Sequence, residues 1–210
     1  MTLEQERSAL LVIDVQNDFC PGGALAVRDG DAVVEPINRL MSRFSRVVAT
    51  QDWHPAGHVS FASSWPGRSV YDSVDADGIP QVLWPDHCVQ GSPGAGFHPA
   101  LDVDRASVIV RKGASPRLDS YSALFENDRR SPTGLEGWLR AVGAQRLFLT
   151  GLATDFCVYY SAMDALRLGF EVVVVADAVR GVDLPAGNVA RRLDELTKAG
   201  ASIVGSDEIG

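Results

Sequence analysis

The chain has 210 residues, with 46% hydrophobic and 22% charged residues, and 19 lysines and arginines against 27 aspartates and glutamates for a net charge of −8. These proportions are those of an ordinary globular protein and exclude disordered and fibrous classes. The negative charge repels phosphate backbones and anionic lipid, so neither nucleic acid nor a membrane is expected as a partner.

In chain order, a first strand is predicted over "ALLVIDV", 9–15, followed by a helix in "DAVVEPINRLMSRF" from Asp31 and a strand over "RVVATQD", 46–52. A long segment of about 53–105, rich in Gly, Pro, Trp and His, shows little sustained periodicity; a stretch of that length in a compact domain is expected to be functional. Strands then alternate with helices: "SVIVRKG" at 107–113, "TGLEGWLRAVG" from Thr133, "RLFLTGL" at 146–152, "TDFCVYYSAMDALRLG" from Thr154, "EVVVVADA" at 171–178, "PAGNVARRLDELTKAG" from Pro185, and a weaker strand in "ASIVGSD". Continuous apolar runs mark strands covered on both faces. The alternation predicts an α/β fold, a three-layer αβα sandwich on a central, mostly parallel six-stranded sheet, with residues 1–210 forming one domain. The polar, acidic start "MTLEQERSA" lacks the basic and apolar regions of a secretory signal, and no apolar run approaches membrane-spanning length, so a cytoplasmic location is expected.

Ligands of open α/β sheets bind beyond the carboxyl ends of the strands. The residues expected there are Asp14, Asp52 with His54, Lys112, and the turn from Ala153 to Cys157. Cys157 falls in the first turn of a predicted helix that Thr154 or Asp155 can cap; unpaired N–H groups and the helix dipole are expected to lower its pKa below the free value of about 8.5, and the same N–H groups can donate to an oxyanion. The alternative is a small buried core cysteine. Asp14, ending a buried strand, is a candidate general base or a loop cap, and Lys112 either holds Asp14 by charge or is a solvated lysine. Cys20 and Cys88 lack this context and are read as structural; three widely spaced cysteines without a CxxC pair argue against a disulfide framework.

Asp52 and His54, two apart on an extended chain, point to one side, and "WPDHCVQGS" adds His87. Two imidazoles and a carboxylate suit one divalent metal ion, zinc first, with iron or manganese as alternatives. Ser60 is a candidate to hold a water on the ion, whereas His58 and His98 read as surface or hydrogen-bonded loop histidines. Phe19, Trp84 and Tyr121 either wall a pocket for a flat ring or are ordinary packing. A dinucleotide cradle is disfavoured because "IDVQND" after the first strand has no GxGxxG.

Five segments, "DVQNDFCPGGAL", "VVATQDWHPAGHVSFAS", "WPDHCVQGSPGAGFHP", "VRKGASPRLDSYSALFEN" and "TGLATDFCV", together resemble the nicotinamidases of the isochorismatase-like cysteine hydrolase superfamily, over about 11–179. The resemblance implies Cys157 as nucleophile, Asp14 as base, Lys112 as the charge-stabilising third member, and a cis peptide between Leu152 and Ala153 that aims the amides of Ala153 and Cys157 into an oxyanion hole. It also implies Asp52, His54 and His87 as metal ligands, a variable position at Ser60 where some relatives have histidine, and Phe19, Trp84 and Tyr121 around the ring of nicotinamide or pyrazinamide. The segment of about 53–105 then becomes a metal- and substrate-binding insertion. Hydrolysis through a thioester, in the salvage of NAD, is the implied activity, by a monomer or homo-oligomer.

Overall fold

The computed structural model describes residues 7–209. Its strands are β1 (Ser8–Ile13), β2 (Val47–Asp52), β3 (Ser73–Ala76), β4 (Ile79–Val82), β5 (Val108–Lys112), β6 (Arg146–Leu152), β7 (Glu171–Arg180) and β8 (Ser202–Val204). Six of them form one sheet in the order β5-β2-β1-β6-β7-β8, with every neighbouring pair parallel. All six strands expected from apolar runs are present. The pair not foreseen is β3 with β4, a separate antiparallel hairpin inside the long irregular segment.

Side chains of the inner strands alternate between two apolar layers. Leu10, Val12, Phe148, Val173 and Val175 face one core with Val34, Ile37, Leu40 and Met41 of helix α1 (Val34–Met41). Ala9, Leu11, Ile13, Leu147, Leu149, Val172 and Val174 face the other, against α2 (Leu135–Ala141), α3 (Tyr159–Arg167) and α4 (Asn188–Lys198) through Leu135, Leu139, Ala162, Ala165 and Leu196. Central strands buried on both faces have no polar side to show, which is why β1 reads as an unbroken apolar run. The helix predicted from Asp31 opens as a 3-10 turn over Gly30–Val33 before α1, and Pro36 fits α1 because its missing N–H falls in the first turn. No helix among the described residues is long and apolar enough to cross a membrane.

The chain leaves β1 in one direction to β2 and β5, then returns to the other side of β1 with β6. The carboxyl ends of β1 and β6 therefore flank the switch point, where α/β sheets open a crevice. Close approach there needs Gly151: at φ +101° it is in the left-handed region, and a Cβ would meet the Ile13 carbonyl oxygen at 2.0 Å. The pairing of β6 with β7 slips between Leu149 and Gly151, so the end of β7 carries the chain to Val182 at the mouth of the crevice.

Truncating the fully buried α1 anchor, Ile37→Ala, is expected to cost about 2–5 kcal/mol of unfolding free energy, read as a lower urea midpoint at unchanged slope.

Candidate active site

Four strand ends deliver the site. Asp14 follows β1, Asp52 ends β2, Lys112 ends β5 beside it in register, and the turn after β6 carries Cys157. Lys112 is completely enclosed. Its ammonium has three protons, and each has a partner: Asp52 Oδ1, the Ser120 carbonyl oxygen at 2.9 Å, and Cys157 Sγ at 3.5 Å. Asp14 Oδ2 lies 2.9 Å from the same nitrogen, closer than the sulfur, so four acceptors crowd an ammonium with three protons. Asp14, Asp52 and the Cys157 sulfur place one ligand atom each within 4.8 Å of one another.

The electrostatics follow from burial. Desolvation pushes the Asp14 carboxyl above the usual carboxylate range; Lys112 opposes this and the charge of Asp52 adds to it. For Lys112, burial alone would strip the proton, but Asp14 and Asp52 outweigh it and hold the ammonium well above the ordinary value. For Asp52, burial is likewise outweighed, by Lys112 and His54, and its carboxyl falls well below the usual range.

Cys157 departs from expectation. Burial holds its thiol well above the usual value, with Asp14 and Asp52 adding to the shift and only Lys112 opposing it. The helix end does not rescue the thiolate, because the turn from Thr154 to Val158 is a π-helix in which the Phe156 and Val158 N–H groups both bond to the Ala153 carbonyl, each at 3.1 Å. Neither Thr154 nor Asp155 caps it. The Asp155 carboxylate is spent on the next loop, accepting from the N–H groups of Val182 and Asp183 and from Asn188 Nδ2, each at 2.9 Å. The peptide between Leu152 and Ala153 is cis.

Beside this centre, Asp52 Oδ2 lies 3.7 Å from His54 Nε2 and 3.9 Å from His87 Nε2. His54 Nδ1 bonds to the Gly113 carbonyl at 2.9 Å and His87 Nδ1 to the Pro85 carbonyl at 2.8 Å. A carbonyl only accepts, so both Nδ1 atoms carry protons and both Nε2 atoms turn toward Asp52; Asp52 raises His54 above the usual imidazole value, so without an ion that Nε2 shares a proton with the carboxylate. This is the arrangement that second-shell carbonyls impose on metal-ligating histidines, and the donor set fits a divalent ion. Gly113 makes it possible, since a Cβ there would stand 2.5 Å from His54 Cε1. Burial and the charge of His54 push His87 down to about 4, keeping it neutral. His54, His58 and Asp119 also cluster, but His58 Nδ1 pairs with Ser60 Oγ at 2.7 Å and its Nε2 lies 3.3 Å from the Leu118 carbonyl, so His58 has no idle nitrogen. Ser60 is buried with that histidine as its hydroxyl's partner, and His98 accepts from the Ala100 N–H at 3.3 Å. Cys20 and Cys88 are buried free thiols; Cys88 adjoins the histidine group, its carbonyl accepting from the His54 N–H at 3.0 Å.

Cys157 and the Asp52, His54 and His87 group line one cleft, with about 390 Å³ of space including its open mouth. Phe19, Trp84 and Tyr121 line it as expected, together with Phe156, Leu25, Val182 and Asp119. Phe156 packs edge-on to Trp84 with ring centroids 4.8 Å apart, and Trp84 Nε1 donates to Tyr121 Oη at 3.1 Å. The sequence reading missed Phe156, although it adjoins Cys157. It also missed the supports: Gln16, whose amide clamps the backbone of Asp52 by two bonds of 2.8 and 2.9 Å, and Gln81, which reaches from β4 to donate to Asp119 Oδ2 at 2.8 Å.

Fold and site together define an α/β enzyme with a buried Cys–Asp–Lys centre facing a flat aromatic cleft. The chain belongs to the isochorismatase family, whose isochorismatase domain matches residues 8–208. It is 48% identical over 199 residues to a nicotinamidase of Escherichia coli K12, covering 93% of each chain. Among solved structures it is similar to a nicotinamidase and pyrazinamidase of Acinetobacter baumanii, at TM-score 0.95 and 43% identity over 98% of this chain and 99% of that one. A pyrazinamidase of Pyrococcus horikoshii in complex with zinc matches at TM-score 0.78 and 36% identity, over 95% and 99% of the two chains.

Replacing Gln81 by Leu removes the side-chain donor to a buried carboxylate oxygen of Asp119. The expected loss is about 1–3 kcal/mol of stability, measured by urea denaturation against wild type.

Proposed function

We propose that the chain hydrolyses nicotinamide to nicotinate and ammonia, accepting pyrazinamide as well, with Cys157 as nucleophile, Asp14 as general base and then acid, and Lys112 as the fixed positive charge. The observation that carries this reading is the convergence on Lys112, whose Nζ lies 2.9 Å from Asp14 Oδ2 and 3.5 Å from the Cys157 sulfur, so the carboxylate stands beside the thiol whose proton it would accept.

The site carries Asp14 and Asp52 against Lys112, a net −1 with the thiol neutral. Losing the thiol proton to solvent would deepen that charge, whereas passing it to Asp14 leaves it unchanged. A thiol with a high pKa is therefore reactive by internal transfer, as substrate arrives. Cys157 gives its proton to Asp14 and its sulfur attacks the carboxamide carbon. The carbonyl electrons move onto oxygen, which the N–H groups of Ala153 and Cys157 receive. Asp14 returns the proton to nitrogen, the C–N bond breaks and ammonia leaves a thioester. Water then adds to the thioester, giving a proton to Asp14; the C–S bond breaks, nicotinate departs and the thiol regains its proton.

Phe19, Trp84, Tyr121 and Phe156 hold the ring flat, so that its amide lies over Cys157 rather than sampling other orientations. Asp52, His54 and His87 would hold a divalent ion, zinc first, which when bound supplies a Lewis-acid anchor for the ring nitrogen. The turn of both Nε2 atoms toward Asp52, with both Nδ1 atoms held by carbonyls, supports this assignment.

Nicotinate and ammonia release from nicotinamide tests the reading directly. Wild type is expected to turn over and Cys157→Ala to fall at least about 10³-fold in kcat, the scale of losing a covalent nucleophile; no ammonia even with zinc, iron or manganese restored would remove nicotinamide as the substrate. Asp52→Ala/His54→Ala, or chelation of the wild type followed by gel filtration, is expected to raise KM at least about tenfold, with zinc restoring only the chelated wild type. Chelated protein with unchanged KM would disconnect the histidine cradle from ring binding.

A further inference from the structure

Thr50 sits on β2, fully buried, and no motif in the sequence draws attention to it. Its hydroxyl makes two contacts, both to Asp14: it donates to Oδ1 at 2.6 Å and accepts from the Asp14 backbone N–H at 3.1 Å. Asp14 has φ +47°, a left-handed conformation that a non-glycine residue holds only where its surroundings impose it. The same hydroxyl thus ties down both the backbone and the side chain of that residue.

A hydroxyl has one proton to donate, and Thr50 places it on Oδ1. The other oxygen, Oδ2, faces the Lys112 ammonium at 2.9 Å, and the same nitrogen reaches the Cys157 sulfur at 3.5 Å. The two oxygens of Asp14 are therefore not equivalent: Oδ1 takes the Thr50 hydroxyl, and Oδ2 lies against the Lys112 ammonium that also touches the sulfur. We propose that Thr50 is a positioning residue for the proton transfer, occupying Oδ1 of Asp14 and locking the carboxylate so that Oδ2 faces the Cys157 thiol. Its β-branched side chain has restricted χ1 in a packed strand, which suits a hydroxyl that must point one way. Thr50 touches neither substrate nor sulfur and acts only through Asp14. The inference rests on the reading of Asp14 as the base.

The test compares Thr50→Val, a near-isostere without the hydroxyl, with Thr50→Ser, which keeps it. Nicotinamide turnover is measured alongside the second-order rate of Cys157 alkylation by iodoacetamide, which reports thiol deprotonation without the amide substrate. Thr50→Val is expected to lose roughly 10- to 100-fold in kcat, a fraction of the whole general-base effect, with KM within about twofold of wild type and alkylation slowed in parallel. Thr50→Ser is expected to stay within about threefold of wild type in both. A Thr50→Val enzyme with wild-type kcat overturns the inference, as does a Thr50→Ser enzyme as slow as Thr50→Val, which would make the role one of packing. Should Thr50→Val fail to fold, Thr50→Ala is read against Thr50→Ser by the same criteria. Asp14→Asn separates the two levels: full turnover in that variant removes Asp14 as the base, whereas a dead Asp14→Asn beside a fully active Thr50→Val removes only the role of Thr50.

Discussion

An ammonium with no access to water is tolerable only where negative charge and hydrogen-bond acceptors surround it, and Lys112 lies at the middle of this molecule on those terms. Two carboxylates, a carbonyl and a sulfur enclose it, and they come from four segments: the end of β1, the end of β2, the loop after β5 and the turn after β6. The parallel sheet is what brings those segments together, since all its strands end on one side. The switch point between β1 and β6 leaves the space in which they meet.

Asp52 joins the two halves of the site because each of its oxygens has a different neighbour. Oδ1 accepts from Lys112, and Oδ2 faces Nε2 of both His54 and His87. Its backbone is clamped by Gln16, which also bonds to the Ala95 carbonyl in the long insertion. The cradle for the ring and the centre for the amide are thus fixed to one residue, and their separation is set by the width of a carboxylate rather than by the packing of two mobile loops. Such rigidity is what converts ring binding into alignment of a carbonyl over sulfur.

How much of this was legible in the sequence depends on burial and on period. The inner strands were legible because they are buried on both faces and largely apolar, the edge strands β5 and β8 because short β-branched runs fall between helical segments, and Asp14, Asp52 and Lys112 stand out as charges terminating strands. The β3–β4 hairpin was passed over although "ADGIP" carries an Asp-Gly turn, with Asp77 and Gly78 both at positive φ; four-residue strands with one partly polar face give little contrast against a Gly- and Pro-rich background. The state of Cys157 was misjudged for a related reason. Sequence locates a thiol at a helix start, but the π-turn that takes up the Phe156 and Val158 N–H groups and the depth of burial are products of tertiary packing. Thr50 was invisible because a threonine within "VVATQD" is also what an ordinary strand would carry.

A lowered thiol pKa and a buried proton relay are opposite solutions to activating sulfur, and the geometry selects the second. A standing thiolate in this site would sit beside two carboxylates with one ammonium to share among three negative charges, in a setting with little water to screen them. Keeping the sulfur protonated until a substrate carbonyl can take up the charge avoids that state. It also requires a base whose proton affinity rises through burial yet which remains ionised beside Lys112, and whose accepting oxygen is held in place. Asp14 meets each condition through a different neighbour: desolvation by the sheet, the ammonium of Lys112, and the hydroxyl of Thr50 on its other oxygen. The depth of the site, which makes the thiol a poor acid toward solvent, is thus the same feature that makes its proton transfer to Asp14 possible.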